Sequence, residues 1–276
     1  MDERVGYGSV TPDIFSHSAT LIGHRGLGKG LVAGRLENTL PSFLAALDAG
    51  IDWVEVDVRR TADDQLFVAH DAALADGHFL SEITGVQASR YGVPRVQELL
   101  EALPPDAGVA FDVKSSLDDA GRSAASTTGA MLGRIGKASL GSRPTVALSF
   151  DPAALRHIRD QLPTMPLGLL TWLRFPVEQA VAAAAHLDVQ LLAIHAGSLW
   201  PNTTTGPADL PSLPQVVTRV HQSNRQLVVW CPTEDQAKSL VAAEVDALVV
   251  DDVPFFVEAL GSAKQAAAPA QRSVAR

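Results

Sequence analysis

The chain has 276 residues and a formal net charge of −9, which excludes the basic surface that nucleic-acid binding requires. An apolar fraction of 46% with 5% aromatics is ordinary globular composition, enough for a substantial core and read as a single domain. One cysteine, Cys231, excludes an intrachain disulfide and fits a reducing compartment; the N-terminus lacks the basic start and apolar run of a signal peptide, and no run approaches about 18 apolar residues, so a cytoplasmic chain without a transmembrane segment is expected.

Residues 1–19 read as a polar lead-in. Thr20-Leu-Ile-Gly-His-Arg-Gly26 is then a short apolar strand ending in a histidine, an arginine and a glycine, a weak signal by itself. The loop from Leu27 to Leu36 is Gly-rich and mobile by composition; it could cover an anionic ligand, although a solvated Lys29 is the plainer reading. A helix starts after Glu37-Asn38-Thr39, with Asn38 or Thr39 as its cap, Pro41 in the first turn, Leu40, Phe43, Leu44 and Leu47 as the buried stripe, and Gly50 at its end. Glu37 is either catalytic or, preferably, a favourable charge beside the helix N-terminus.

Trp53 to Val58 alternates, so a period of two puts Glu55 and Asp57 on one face of a strand. Turn residues at 61–64 and a second extended run, Gln65 to His70, predict a hairpin, because a parallel pair would need a longer crossover. With Arg59 opposite Leu66, His70 falls opposite Glu55 and Val68 opposite Asp57. Two carboxylates so close repel unless a cation lies between them, and Mg²⁺ or Ca²⁺ takes oxygen ligands of this kind. An edge strand with solvated acidic residues fits the spacing equally well.

Residues 72–92 read as irregular, Val93 to Leu103 as an amphipathic helix, and Val109 to Ser115 as a strand with Asp112 and Lys114 on one face. That lysine either pairs with the carboxylate or binds a phosphate as a point charge. Strand and helix then alternate: Thr145 to Phe150, Pro152 to Gln161; Leu167 to Trp172, Val177 to Ala185; Leu191 to His195, Leu213 to Gln222; Gln226 to Trp230, Glu234 to Ala243; Ala247 to Asp251, Phe255 to Leu260. With the Gln65 strand as a returning arm, eight parallel candidates remain, beginning near residues 20, 53, 109, 145, 167, 191, 226 and 247. Such an array closes into a single (β/α)₈ (TIM) barrel over residues 20–261, with a β-hairpin excursion after strand 2 and a disordered tail at 262–276.

In order and spacing, His24-Arg25-Gly26, Glu37-Asn38-Thr39, Glu55-Val-Asp57 and His70-Asp71 resemble the glycerophosphodiester phosphodiesterase family. The likeness extends through Phe111-Asp-Val-Lys114, Leu148-Ser-Phe150, Val229-Trp230 and Val245 to Asp251, nearly everything between residues 20 and 255. It implies a TIM-barrel hydrolase of glycerol and lipid metabolism that releases glycerol 3-phosphate and an alcohol from small glycerophosphodiesters, with one divalent cation, Mg²⁺ or Ca²⁺. By position, His24 and His70 are the implied general acid/base pair. Glu55, Asp57 and Asp112 are the implied metal ligands, and Arg25, Lys114 and Trp230 the substrate contacts. The attacking group is water or the substrate's own glycerol hydroxyl.

The chain departs from the family pattern twice. Asp112 stands where Glu is usual, and Asp followed one residue later by Lys also resembles the sphingomyelinase D/phospholipase D branch, whose lipid substrates call for an apolar rim such as Leu199-Trp200-Pro201 and Trp172 to Phe175. Cys231-Pro-Thr-Glu234 replaces the common Thr-Val-Asn in a rim loop that contacts the leaving group. A non-catalytic phosphoester-binding barrel is the third reading. His17, His78, His157, His186 and His221 read as surface residues, and His195, ending a strand, as a possible substrate contact. Oligomeric state is not legible.

Overall fold

The computed structural model of the protein describes residues 13–15, 19–200 and 211–267. His17, Pro201, most of the lead-in and the tail from residue 268 lie outside the described residues. The strands are β1 (Thr20–Gly23), β2 (Leu31–Val32), β3 (Arg35–Leu36), β4 (Trp53–Arg60), β5 (Leu66–Val68), β6 (Gly108–Val113), β7 (Thr145–Ser149), β8 (Leu167–Thr171), β9 (Leu191–His195), β10 (Gln226–Trp230) and β11 (Ala247–Val250). The helices are α1 (Leu40–Asp48), α2 (Gly85–Arg90), α3 (Val96–Ala102), α4 (Thr128–Ser139), α5 (Pro152–Gln161), α6 (Val177–His186), α7 (Leu213–Gln222), α8 (Glu234–Ala242) and α9 (Val253–Ala267).

Strands β1, β4, β6, β7, β8, β9, β10 and β11 pair in parallel in that order, and β1 bonds to both β4 and β11, so the sheet closes into a (β/α)₈ barrel. Alternation along each strand sorts side chains into two cores. Ile22, Trp53, Ala110, Leu148, Leu191 and Val228 fill the barrel, whereas Val54, Val56, Val109 and Leu192 pack outward among the helices. Phe15, in a segment that reads as polar lead-in, packs edge-on against Trp53 at 5.0 Å, and the amide N–H groups of Ile14 and Phe15 donate to the Gln226 side chain. Its burial is favourable by about 1.5–3 kcal/mol.

Strand β5 runs antiparallel to β4, so the hairpin after the second barrel strand forms, but in a different register. Arg60, not Arg59, faces Leu66, and the ladder ends at Val58 opposite Val68. The turn sets this: Asp64 adopts a left-handed conformation at φ 61°, Thr61 N–H donates to Gln65 O at 2.9 Å, and the Thr61 hydroxyl accepts the Gln65 N–H. His70 therefore lies beyond the ladder rather than opposite Glu55. Nor is β4 an edge strand with solvated carboxylates; it lies between β1 and β6, with Glu55 4% and Asp57 1% exposed.

Three local readings also change. Helix α4 fills the segment between β6 and β7 that shows no helical signal, because glycines at 129, 133 and 136 let it approach α5; a Cβ on Gly129 would lie 2.6 Å from the Ala154 carbonyl. Thr84 and Gln87 form a capping box that starts α2 inside the stretch read as irregular. Helix α9 begins at Val253 and runs to Ala267, past the expected end at Leu260 and through Gly261; the Ala-Lys-Gln-Ala-Ala run at 263–267 has good helix propensity.

Candidate active site

The carboxyl ends of the barrel strands carry the chemistry-bearing residues, as this architecture requires. Trp53, Glu55 and Asp57 alternate with outward-facing valines on β4, so the two carboxylates rise above the barrel floor on its inner side. Asp57 is the register partner of Asp112 on β6, and ligand oxygens of Glu55, Asp57 and Asp112 all lie within 4.8 Å of one another. Lys114, just past β6, bridges two of them, with Nζ 2.9 Å from Asp57 Oδ1 and in contact with Asp112 Oδ2.

Charges around the three acids are unevenly shared. Asp57 is buried, yet Lys114, the Asn38 amide (2.8 Å) and Arg25 outweigh desolvation and hold its carboxyl below the usual aspartate range. Burial dominates at Asp112 and raises it despite Lys114. Glu55 is raised well above the usual value, by burial first and then by Asp57 and Asp112; the Arg25 amide, 2.9 Å from its Oε2, offsets only part. Burial acts against the positive form of Lys114, but Asp112, Asp57 and Glu55 overcome it and raise its pKa. Arg25 behaves alike, with Asp57 and Glu37 overcoming its burial. Three acids thus share two cations. Among the described residues, Asp112 Oδ1 and Asn38 Oδ1 are buried with no hydrogen-bond partner, so oxygen-rich, charge-deficient space of the kind a hard divalent ion fills is present among these residues.

Both histidines are oriented by carboxylates. His24, directly after β1, sets Nδ1 2.5 Å from Asp251 Oδ1 and points Nε2 toward Glu55, 4.0 Å away. His70 Nδ1 lies 2.7 Å from Asp71 Oδ1, and Arg59 Nε holds the His70 carbonyl at 2.8 Å. A carboxylate accepts only, so each Nδ1 carries the proton and each Nε2 is left for proton exchange. Ala69 N–H donates to the Asp57 carbonyl at 3.1 Å, so the next residue, His70, stands at the rim beside the strand end that carries Asp57.

Sequence reasoning missed several partners. Asn38 is not the cap of α1; Thr39 takes that position, and Asn38, at φ 55°, turns inward to Asp57. Glu37 holds the Arg25 guanidinium at 2.8 Å and contacts the Gly30 amide instead of serving the helix end. The Gly-rich loop folds as the β2–β3 hairpin around Ala33 and Gly34, both at positive φ. Asp251 ends the run Val245 to Asp251 that shares the family likeness, but nothing in the sequence pairs it with His24.

An aromatic wall stands beside the acids. Phe150 stacks on Trp172 at 3.9 Å and meets Trp230 edge-on at 5.9 Å; His195 meets Trp230 at 4.4 Å; Lys114 Nζ lies 5.8 Å from the Phe150 ring centre. The His195 pKa is lowered by burial, and its Nδ1 accepts the Gly197 amide N–H. Trp172 is 63% and Leu173 50% exposed, whereas Leu199 is buried and Trp200, half-buried, packs against the core.

A model of the glycerophosphoryl diester phosphodiesterase family matches residues 24–254. A glycerophosphodiester phosphodiesterase from Parabacteroides distasonis superposes with a TM-score of 0.72 at 20% identity, over 90% of this chain and 98% of that one. An Oleispira antarctica phosphodiesterase in complex with the product sn-glycerol-3-phosphate superposes with a TM-score of 0.70 at 20% identity, over 88% and 97%. At such identities the likeness is one of fold. A glycerophosphocholine phosphodiesterase of Candida albicans is 44% identical over 63 residues, 21% of this chain. One of Schizosaccharomyces pombe is 39% identical over 88 residues, 30% of this chain. The matched segments span only 5% and 7% of those relatives' lengths.

Proposed function

The chain belongs to the glycerophosphoryl diester phosphodiesterase family, and from that premise we propose that it hydrolyses glycerophosphodiesters to glycerol 3-phosphate and an alcohol, using a divalent cation and the pair His24 and His70. The observation that carries this is the charge-deficient group of Glu55, Asp57 and Asp112 beneath two carboxylate-oriented imidazoles. A cation held there, Mg²⁺ or Ca²⁺, would supply positive charge to the non-bridging oxygens of a phosphodiester, which otherwise repels nucleophiles. Lys114 adds a second positive charge toward the phosphate, and Arg25, fixed by Glu37 and Asp57, a third.

One of the two histidines takes the proton of the attacking hydroxyl through Nε2, and the other donates a proton to the departing alkoxide. The carboxylates on Nδ1 hold each ring at its orientation. Trp230, Phe150 and Trp172 offer ring faces to the glycerol or alcohol portion, surfaces suited to a quaternary ammonium group. Glycerophosphocholine, the substrate in the names of the fungal relatives, is therefore the first compound to assay. Release of glycerol 3-phosphate is expected; no phosphorus-containing product from any glycerophosphodiester would return the chain to the class of non-catalytic phosphoester binders.

A second reading has its own observation. Trp172 and Leu173, with Leu31 and Leu36 on the β2–β3 hairpin, expose apolar surface at the end of the barrel that holds the acids. That rim suits diesters carrying an acyl chain. Faster turnover of lysophosphatidylcholine than of glycerophosphocholine would favour the lipid substrate; the reverse order favours the water-soluble one.

A further inference from the structure

His24, Cys231 and Asp251 occupy the same position on three adjacent strands, the first residue beyond β1, β10 and β11. The ladders fix their spacing: β11 bonds to both β1 and β10, His24 N–H donates to Val250 O at 3.1 Å, and Cys231 N–H to Val249 O at 2.9 Å. Cys231 Sγ lies 3.7 Å from His24 Nδ1 and 3.6 Å from Asp251 Oδ1, and the three ligand atoms fall within 4.8 Å of one another. We infer that these three residues form a second metal site, selective for a soft or borderline ion such as Zn²⁺, whose occupation takes His24 out of proton transfer.

The geometry matches the ion. Zn–S near 2.3 Å and Zn–N or Zn–O near 2.0–2.1 Å in a tetrahedron give sulfur–nitrogen and sulfur–oxygen edges of about 3.6 Å, close to the two sulfur distances observed. The His24–Asp251 edge, now a 2.5 Å hydrogen bond, would have to open to about 3.3 Å. The Asp251 side chain, 40% exposed, has room to move that far. Three protein ligands leave the fourth position open to solvent. Ligand chemistry separates this group from the neighbouring acids: thiolate and imidazole select zinc or cadmium, and an all-carboxylate group selects magnesium or calcium.

The proton balance explains the consequence. Binding of Zn²⁺ displaces the thiol proton of Cys231 to solvent and moves the proton of His24 from Nδ1 to Nε2. Burial, reinforced by the neighbouring Asp251, raises the thiol pKa, so Cys231 is no nucleophile without a metal. With zinc on Nδ1, Nε2 keeps its proton and has no free lone pair, so His24 neither accepts nor readily gives up a proton. This inhibitory consequence rests on the phosphodiesterase reading; the binding site does not.

The test uses the full chain saturated with Mg²⁺ and titrated with Cd²⁺. Since Cys231 is the chain's one cysteine, thiolate-to-cadmium charge-transfer absorption reports this site alone. Saturation at one equivalent is expected, with the band removed by competing Zn²⁺, lost in Cys231→Ser, weakened in Asp251→Asn and unchanged in Asp112→Asn. No band, or a band equally strong in Asp251→Asn and His24→Ala, overturns the site. In turnover assays Zn²⁺ should inhibit the wild type, and Cys231→Ser should be about 100-fold less sensitive, the upper end of the loss seen when a metal site loses even an outer-sphere partner. Equal sensitivity would overturn the inhibitory role. If no phosphodiesterase activity is found, the cadmium titration still decides the site.

Discussion

Replacing Glu55 by Gln should stabilise the metal-free protein while abolishing its response to metal. Glu55 is 4% exposed and accepts a hydrogen bond from the Arg25 amide, a bond that a glutamine oxygen can keep. An uncompensated buried charge costs about 3–5 kcal/mol; Lys114 and the amide offset part, so about 3 kcal/mol is expected, or about 6–12 °C in Tm. The pH dependence follows from the direction of the shift. Because its carboxyl is raised well above the ordinary 4.5, the folded state holds this proton more tightly than the unfolded chain. That contribution favours folding below about 4.5 and is lost as pH rises through the folded value. The gap between variant and wild type should therefore be wide at neutral pH and narrow at pH near 4.5. Circular dichroism melts in chelator at the two pH values measure it, and added Mg²⁺ or Ca²⁺ should raise the wild type but not the variant. A variant no more stable than wild type in chelator at neutral pH, or a gap indifferent to pH, would refute the charge-deficit reasoning.

Lys114→Met should destabilise the metal-free protein by about 3–5 kcal/mol, because Asp57 and Asp112 lose the cation they share, and divalent metal should recover part of the loss in denaturant melts. His24→Ala and His70→Ala should each lower kcat by about 10²–10⁴ with metal still bound. With an activated phenol as leaving group, the variant lacking the acid should recover most of its rate and the other should not; equal responses would refute separate roles. Gly129→Ala should lower stability by about 1–3 kcal/mol through collision with the Ala154 carbonyl, despite a helix-propensity gain of about 1 kcal/mol, as chemical denaturation would show.

The barrel was legible because buried parallel strands and amphipathic helices write their periods directly into the chain. Glu55, Asp57 and Asp112 could be found for the same reason, since alternation puts them on one face. What escaped depends on tertiary contact. Helix α4 carries three glycines that argue against a helix until α5 lies against them. Asn38 reads as one of two candidate caps, beside Thr39, because its left-handed backbone, which turns the amide toward Asp57, has no signature of its own. The one-residue shift of the β4–β5 ladder came from a turn closed by Thr61 and Asp64, and a period-two pattern cannot distinguish adjacent registers when both faces of β4 are buried. Phe15 was hidden among polar neighbours, although it packs against Trp53 in the barrel interior.

The central claim, that one divalent ion on Glu55, Asp57 and Asp112 enables phosphodiester cleavage, is tested most directly by restoring metal to chelator-stripped protein while following glycerol 3-phosphate release from glycerophosphocholine. Activity should vanish on stripping and return on addition of Mg²⁺ or Ca²⁺ at about one equivalent bound, and Asp112→Asn should need a markedly higher concentration of the same ion. Full activity in the stripped protein, or an unchanged metal requirement in Asp112→Asn, would contradict it.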